Sequence, residues 1–348
     1  MKTIKIGKNI ISENGPCFII AEIGHNHQGN VGTAMKMIQV AAGCGVQAVK
    51  FQKRDNKTLY TRAMYNKPYD NENSYGATYG EHREFLEFGM QEYRALKRCA
   101  KINGVELMAT AFDLNSVAFL EKLGVTGYKL ASGDITNTVL IECIAKLKKP
   151  MFMSTGGATM EEIRIGYEAA RKFNDNICLM HCVSGYPTDY PFLNLRMVET
   201  LKKEFPEVII GYSGHDNGIL APVIAYMLGA RVIEKHFTLN HSWKGTDHRF
   251  SLEPEGLRKQ VRDLRRVDVS MGDGKKIILD FEMDARAKMG KGIYSAKKLK
   301  AGTIISMGDL CFKSPANGVP PYLIEKIIGK KLTIDLEAEQ PILSDKLV

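Results

Sequence analysis

Eight short apolar runs, each the length of one strand, recur across the first 240 positions of this 348-residue chain. They are CFIIAEIG (17–24), AVKFQ (48–52), LMATAF (107–112), GYKLAS (127–132), MFMST (151–155), ICLMHC (177–182), VIIGYS (208–213) and RVIEKHF (231–237). Most are separated by segments with helical periodicity, such as VGTAMKMIQVAAGC and MEEIRIGYEAARKF, and another such segment, EGLRKQVRDLRRVDVSMG, follows the last. Strands that are apolar on both faces and alternate with amphipathic helices specify a parallel sheet covered by helices, the α/β class. Eight such units in about 250 residues predict a closed (β/α)8 TIM barrel. An open, doubly wound sheet is the alternative, but no G-x-G-x-x-G follows the first run.

The pattern changes after Gly274. Residues 275–285 read as a linker, and 286–348 hold short strands, turns and a Pro-Pro pair without long helices, predicting a small, mostly β domain. The expected domains are therefore 1–274, a barrel, and 286–348. A unit of about 60 residues is marginal alone, so it is expected to pack on the barrel or on a partner subunit.

Composition narrows the function classes. With 44% hydrophobic and 25% charged residues the chain is not disordered. No apolar stretch is long enough to span a membrane. The start, MKTIKIGKNIISENG, lacks a signal peptide's apolar core, so a cytoplasmic location is expected. The net charge of +9 is scattered along helical segments without interleaved aromatics, which fits anionic small substrates and solvated helix faces better than nucleic acid. The seven cysteines form no C-x-x-C pair and are expected as buried free thiols.

A barrel of this kind places its chemistry where the C-terminal strand ends open into loops. The first run ends in Glu22, followed by His25, Asn26 and His27; the second supplies Lys50 and Gln52, and the third Thr110. The fourth supplies Lys129 and Ser132, then Asp134; the fifth Ser154 and Thr155; the sixth His181, then Ser184 and Tyr186. The seventh ends in Ser213, then His215, and the eighth in Glu234 and His236. A lysine inside a strand either snorkels from the helix-facing side or meets an anion. Two lysines with several hydroxyls around one axis suit a carboxylate plus a phosphate. Two histidines from adjacent strands suit a shared divalent metal, although two alone are a weak signal.

These residues also carry a family resemblance. FIIAEIGHNHQGN, AVKFQK, YKLASGD, STGG, HCVSGYPT, IGYSGHDNG and IEKHFTL resemble, in order, the motifs of the sialic acid synthase family. YGEHREFLEF, GYSGH and WKGTDH with SLEP look like the animal type, which acts on a 6-phosphorylated sugar, and the tail is similar to the antifreeze-like (SAF) domain of these enzymes. The resemblance implies condensation of phosphoenolpyruvate with an N-acylmannosamine or its 6-phosphate, releasing inorganic phosphate. It also implies a divalent cofactor, Mn2+ or Mg2+, and a homodimer with exchanged C-terminal domains. By motif position His215 and His236 would hold the metal. Lys50, Thr110, Lys129, Ser132, Ser154 and Ser213 would hold phosphoenolpyruvate, with Glu22, Gln52, Tyr186 and Asp247 around the sugar and the reacting centre. A carboxylate, Glu22 or Asp134, would position or deprotonate the attacking water.

Three positions depart from the common pattern. Asp134 replaces a longer carboxylate, Ser184 stands where many bacterial members have asparagine, and Ser314 replaces a tail arginine. The same chemistry on a related sugar (legionaminic, pseudaminic or deaminated type) is the neighbouring alternative. A cationic run after the second strand, Lys53, Arg54, Lys57, Arg62 and Lys67, with His82 and Arg83 beyond it, is expected to hold a sugar phosphate or to be a solvated loop.

Overall fold

The computed structural model describes residues 2–348 and divides into two compact units between Gly272 and Asp273. In the first, eight parallel strands close into a barrel: β3 (Phe18–Gly24), β4 (Ala48–Lys53), β5 (Glu106–Ala111), β6 (Tyr128–Leu130), β7 (Met151–Ser154), β8 (Ile177–Cys182), β9 (Ile209–Gly214) and β10 (Val232–His236), with β10 pairing back to β3. The predicted TIM barrel is thus the observed one. The helices lie within a few residues of their expected positions; Val31–Cys44 has its expected bounds. Asn30 caps that helix by accepting from the Thr33 amide, and Gly45 ends it at a φ of 95°, where a side chain would be strained. Its buried residues Ala34, Met37, Ile38 and Ala41 recur at helical spacing and form the stripe that covers the strands.

Successive side chains of a strand point to opposite faces, and here the two sets differ in chemistry. One set, including Ile19, Val49, Phe51, Ala109, Tyr128, Met153, Leu179, Ile210 and Ile233, joins the large core beneath the helices. The other points into the barrel. At its N-terminal end this inner set is apolar, with Phe18, Ile20, Ala48, Met108, Phe152, Met180, Ile209 and Val232 packed in one cluster. A hairpin of two strands, β1 (Thr3–Ile6) and β2 (Asn9–Ser12), sends Ile4, Ile6 and Ile11 into the same cluster. Each isoleucine contributes about 1.5 to 3 kcal/mol of burial, which holds the hairpin as a floor under the barrel. This hairpin lies outside the eight strands read from sequence.

The second unit has one antiparallel pair, β11 (Gly292–Ser295) with β12 (Leu310–Lys313), around a small core that includes Ile293, Leu299, Ile305, Leu332 and Ile342. The stretch expected as linker contains a 3-10 turn at Asp280–Glu282, followed by a helix at Met283–Met289 that crosses the expected start at 286. All seven cysteines are unpaired; Cys44, Cys99, Cys178 and Cys182 are buried, whereas Cys17, Cys143 and Cys311 are only half-buried. Among the described residues no helix is long and apolar enough to cross a membrane.

Candidate active site

Where the inner set turns polar, the barrel opens into a cavity of about 700 Å³. All fourteen residues expected at a site line it: Glu22, Lys50, Gln52, Thr110, Lys129, Ser132, Asp134, Ser154, Ser184, Tyr186, Ser213, His215, His236 and Asp247. Two strand-end residues read alongside them go elsewhere. The His181 ring nitrogen meets the Leu193 carbonyl at 2.7 Å, and the Thr155 hydroxyl donates to the Met180 carbonyl.

The floor of the cavity is a network of alternating charges. Lys50 Nζ lies 2.8 Å from Glu22 Oε2, donates to Thr110 Oγ1 at 2.7 Å and stands 3.7 Å from Glu234 Oε1. Lys129 Nζ stands 3.5 Å from the same Glu234 oxygen, to which Ser213 donates at 3.1 Å. Burial works against the charged forms, but the opposite charges outweigh it. The Lys50 ammonium is raised by Glu22 and Glu234, and the Glu234 carboxyl is held at about 2 by Lys129 and Lys50. Gln52 donates to the other Glu22 oxygen at 2.7 Å, so both oxygens of that carboxylate face donors. Ser154 Oγ and Glu234 Oε2 are buried without a hydrogen-bond partner. Glu234 was visible at the end of the eighth run but had no assigned role; its parity with Val232 marks it as inward-facing.

At the ends of the neighbouring strands β9 and β10, His215 and His236 stand with ring centroids 5.4 Å apart. The Val183 carbonyl lies 2.9 Å from His215 Nδ1, which therefore carries the proton and leaves Nε2 as a free lone pair. Burial, then the neighbouring His236, lowers the His215 imidazole to about 3, keeping it neutral. His236 Nδ1 is buried, lacks a hydrogen bond and lies 3.7 Å from Asp247 Oδ2. Two imidazole nitrogens on adjacent strand ends and a nearby carboxylate fit a divalent ion that keeps open positions for substrate and water. Among the described residues, no group of three or more His, Cys, Asp or Glu is arranged to hold an ion unaided.

The rim carries a second cationic centre. Arg54 Nη1 and Arg83 Nη1 each approach a ring nitrogen of His25 at 3.2 Å, one on either side. Arg54 lies over the Phe112 ring with its carbon 3.6 Å from the centroid, and Arg83 donates to the Tyr79 hydroxyl at 3.0 Å. Among the described residues neither guanidinium forms an ion pair with a carboxylate; Glu87 pairs through Oε2 with Lys53 at 2.8 Å, and its buried Oε1 lies 3.8 Å from His25. Burial, then Arg54 and Arg83, holds His25 well below the usual imidazole range, so it adds no third charge. Of the expected cationic run only Arg54 and Arg83 reach the cavity; Lys57, Arg62 and Lys67 are exposed and His82 packs among Tyr69 and Tyr75.

Asp134 follows β6 in a 3-10 turn and receives one long hydrogen bond, 3.3 Å from Asn137. Burial raises its carboxyl, against the pull of Asn137 and Arg54. It is therefore a stronger base than an exposed aspartate.

Known proteins carry the same architecture. The NeuB family model matches residues 37–276 and the SAF domain model 290–348. N-acetylneuraminate-9-phosphate synthase of Homo sapiens is 40% identical over 331 residues, covering 95% of this chain and 92% of that protein. N,N'-diacetyllegionaminic acid synthase of Legionella pneumophila is 36% identical, covering 92% of each. The crystal structure of the N-acetylneuraminic acid (sialic acid) synthetase of Leptospira borgpetersenii, in complex with citrate, aligns with a TM-score of 0.71 at 33% identity, over 82% of this chain and 95% of that one. The chain belongs to the NeuB family of sialic acid synthases and carries a SAF domain at its C-terminal end.

Proposed function

We propose that this protein condenses phosphoenolpyruvate with a 6-phosphorylated N-acylmannosamine, giving a 9-phosphorylated nonulosonic acid and inorganic phosphate. The observation that carries the reading is the pair of separate anion cradles in one cavity: Lys50 and Lys129 among hydroxyls in the floor, Arg54 and Arg83 at the rim. Phosphoenolpyruvate, with its carboxylate and phosphate, suits the floor, where Lys50, Lys129, Thr110, Ser132, Ser154 and Ser213 supply charge-assisted donors. A buried cation without a counter-charge is costly, so two guanidiniums around a neutral imidazole suit a dianionic sugar phosphate.

The C3 carbon of phosphoenolpyruvate attacks the aldehyde carbon of the open sugar, forming the new C–C bond; the C=O electrons pass to the aldehyde oxygen, which takes up a proton to become a hydroxyl, and C2 is left as an oxocarbenium. Water adds at C2, and the tetrahedral carbon expels phosphate to leave the ketone. Mn2+ or Mg2+ held by His215 and His236 would supply Lewis-acid polarisation of the aldehyde. Asp134 takes the proton from the attacking water, because its carboxyl is raised and lightly bonded, whereas Glu22 is engaged by Lys50 and Gln52. Glu22 and Gln52 orient the sugar, with Ser184, Tyr186 and Asp247 along its length. The working unit is a homodimer with exchanged C-terminal domains. Support for it comes from the large apolar side chains exposed from Ile277 to Met283, with Phe281 81% exposed, and from the small core of the tail.

The test is phosphate release from phosphoenolpyruvate with free and 6-phosphorylated N-acetylmannosamine. Two cationic contacts to the phosphate should favour the phosphorylated sugar by about a hundredfold in kcat/KM. Equal or better turnover of the free sugar overturns the rim assignment.

A further inference from the structure

Strand β10 reads Val-Ile-Glu-Lys-His, and its alternation sends Glu234 and His236 into the cavity and Lys235 to the opposite face. Lys235 is fully buried there, as is Asp216, with Nζ 3.1 Å from Asp216 Oδ1. The same ammonium donates to the Asp216 backbone carbonyl. Tyr212, within β9, donates its hydroxyl to the same Asp216 oxygen at 2.8 Å. Each partner of this ion pair is the covalent neighbour of a cavity histidine: Lys235 precedes His236, and Asp216 follows His215.

Neither Lys235 nor Asp216 lines the catalytic cavity. Burying two charges costs more than burying two apolar side chains of the same volume, so stability alone does not account for it. The backbone is shaped around it: a Cβ at Gly214 would fall 2.5 Å from the Tyr212 ring and 2.6 Å from Asp216 Oδ1. The rest of the turn is fixed as well, by the Thr188 amide donating to the His215 carbonyl and the Tyr190 hydroxyl to that of Asn217.

We infer that Lys235 and Asp216, with Tyr212, form a clamp behind the sheet that sets the separation of His215 and His236 in the cavity. All three are positioning residues, acting through the imidazoles and never touching substrate. The inference rests on the reading that these imidazoles share a divalent ion, and its consequence is that metal affinity is encoded on the helix-facing side of the barrel. A lysine fixed at two points on Asp216 holds the β9 turn at one height relative to β10, whereas an apolar pair would pack without dictating that height.

The test uses the full-length protein with three changes: Lys235→Met, Asp216→Asn, and the double variant Lys235→Met/Asp216→Leu, which leaves no unpaired buried charge. Mn2+ binding is followed by electron paramagnetic resonance of the free ion, with thermal unfolding and the KM for phosphoenolpyruvate alongside. The double variant should fold as stably as wild type yet bind Mn2+ at least about tenfold more weakly, the scale for a residue that orients a ligand. Its phosphoenolpyruvate KM should stay within about twofold, as no floor contact is altered. A stable double variant with wild-type Mn2+ affinity overturns the clamp. If wild type binds no Mn2+, the metal reading fails instead. The clamp is then judged on the His215–His236 separation in a crystal structure of the double variant, where a change below about 0.5 Å refutes it.

Discussion

Replacing Lys129 by methionine separates the ligand-binding part of the floor network from its structural part. Lys129 and Lys50 are the two cations that face Glu234, at 3.5 and 3.7 Å, and Lys50 is already paired with Glu22 at 2.8 Å. Losing a charge-assisted contact to phosphoenolpyruvate costs about 1.5 to 3 kcal/mol, or roughly ten- to a hundredfold in its KM. The same change releases Glu234, whose carboxyl now sits at about 2 instead of 4.5, chiefly through Lys129 against the opposing effect of burial. A depression of that size corresponds to at most about 3 kcal/mol of stability. Because the folded carboxyl is lowered, this stability is present above the unfolded value and is lost as pH falls from about 4.5 towards 2. Lys129→Met should therefore unfold at a lower temperature at neutral pH, and the gap to wild type should narrow as the solution is acidified below about 4.5. Phosphate-release kinetics give the KM, and thermal unfolding between pH 3 and about 7 gives the stability difference. An unchanged phosphoenolpyruvate KM would refute the floor assignment, whatever happened to stability.

A chelator should abolish phosphate release and Mn2+ or Mg2+ restore it, while His236→Ala should stay inactive with either metal; full activity in that variant removes the metal from the reaction. Arg83→Met should lower kcat/KM for the phosphorylated sugar by about tenfold or more and leave that for the free sugar nearly unchanged, because only the former presents a dianion to the rim. An equal loss on both sugars would mean that Arg83 supports the fold and not the phosphate. A chain ending at Gly274 should fold, as circular dichroism would show, but lose most of its activity; full activity would mean that the tail domain does not complete the site.

The barrel was legible because strands buried on both faces have a distinctive length and composition, and the strand ends were legible because their polar residues fall on the inner parity of those strands. That parity was the finer signal. Lys50, Lys129 and Lys235 are all lysines inside apolar strands, yet the first two share the inward set with Glu22 and Glu234, and the third shares the outward set with Ile233. The hairpin at Thr3–Ser12 escaped because its strands are only four residues each and half charged or polar, although Gly7 and Lys8 make a two-residue turn between alternating isoleucines. Arg54 and Arg83 were named only as part of a longer basic run. They lie in different loops and meet through His25, a contact that no local periodicity encodes. The clamp behind His215 and His236 was hidden for the same reason, since Asp216 and Lys235 come together only when β9 and β10 lie side by side.

On the proposed reading, the hairpin beneath the barrel also bears on the order of events in turnover. Ile4, Ile6 and Ile11 pack with Ile20, Ala48 and Met108 in an apolar plug on the N-terminal side of Lys50 and Lys129, so among the described residues the cavity is closed by apolar side chains at that end. With phosphoenolpyruvate held at the floor and the sugar at the rim, as proposed, the first would have to arrive before the second, and inorganic phosphate would leave after the nonulosonate. Steady-state kinetics should accordingly be sequential and ordered, with phosphate as the last product off and a competitive inhibitor against phosphoenolpyruvate alone.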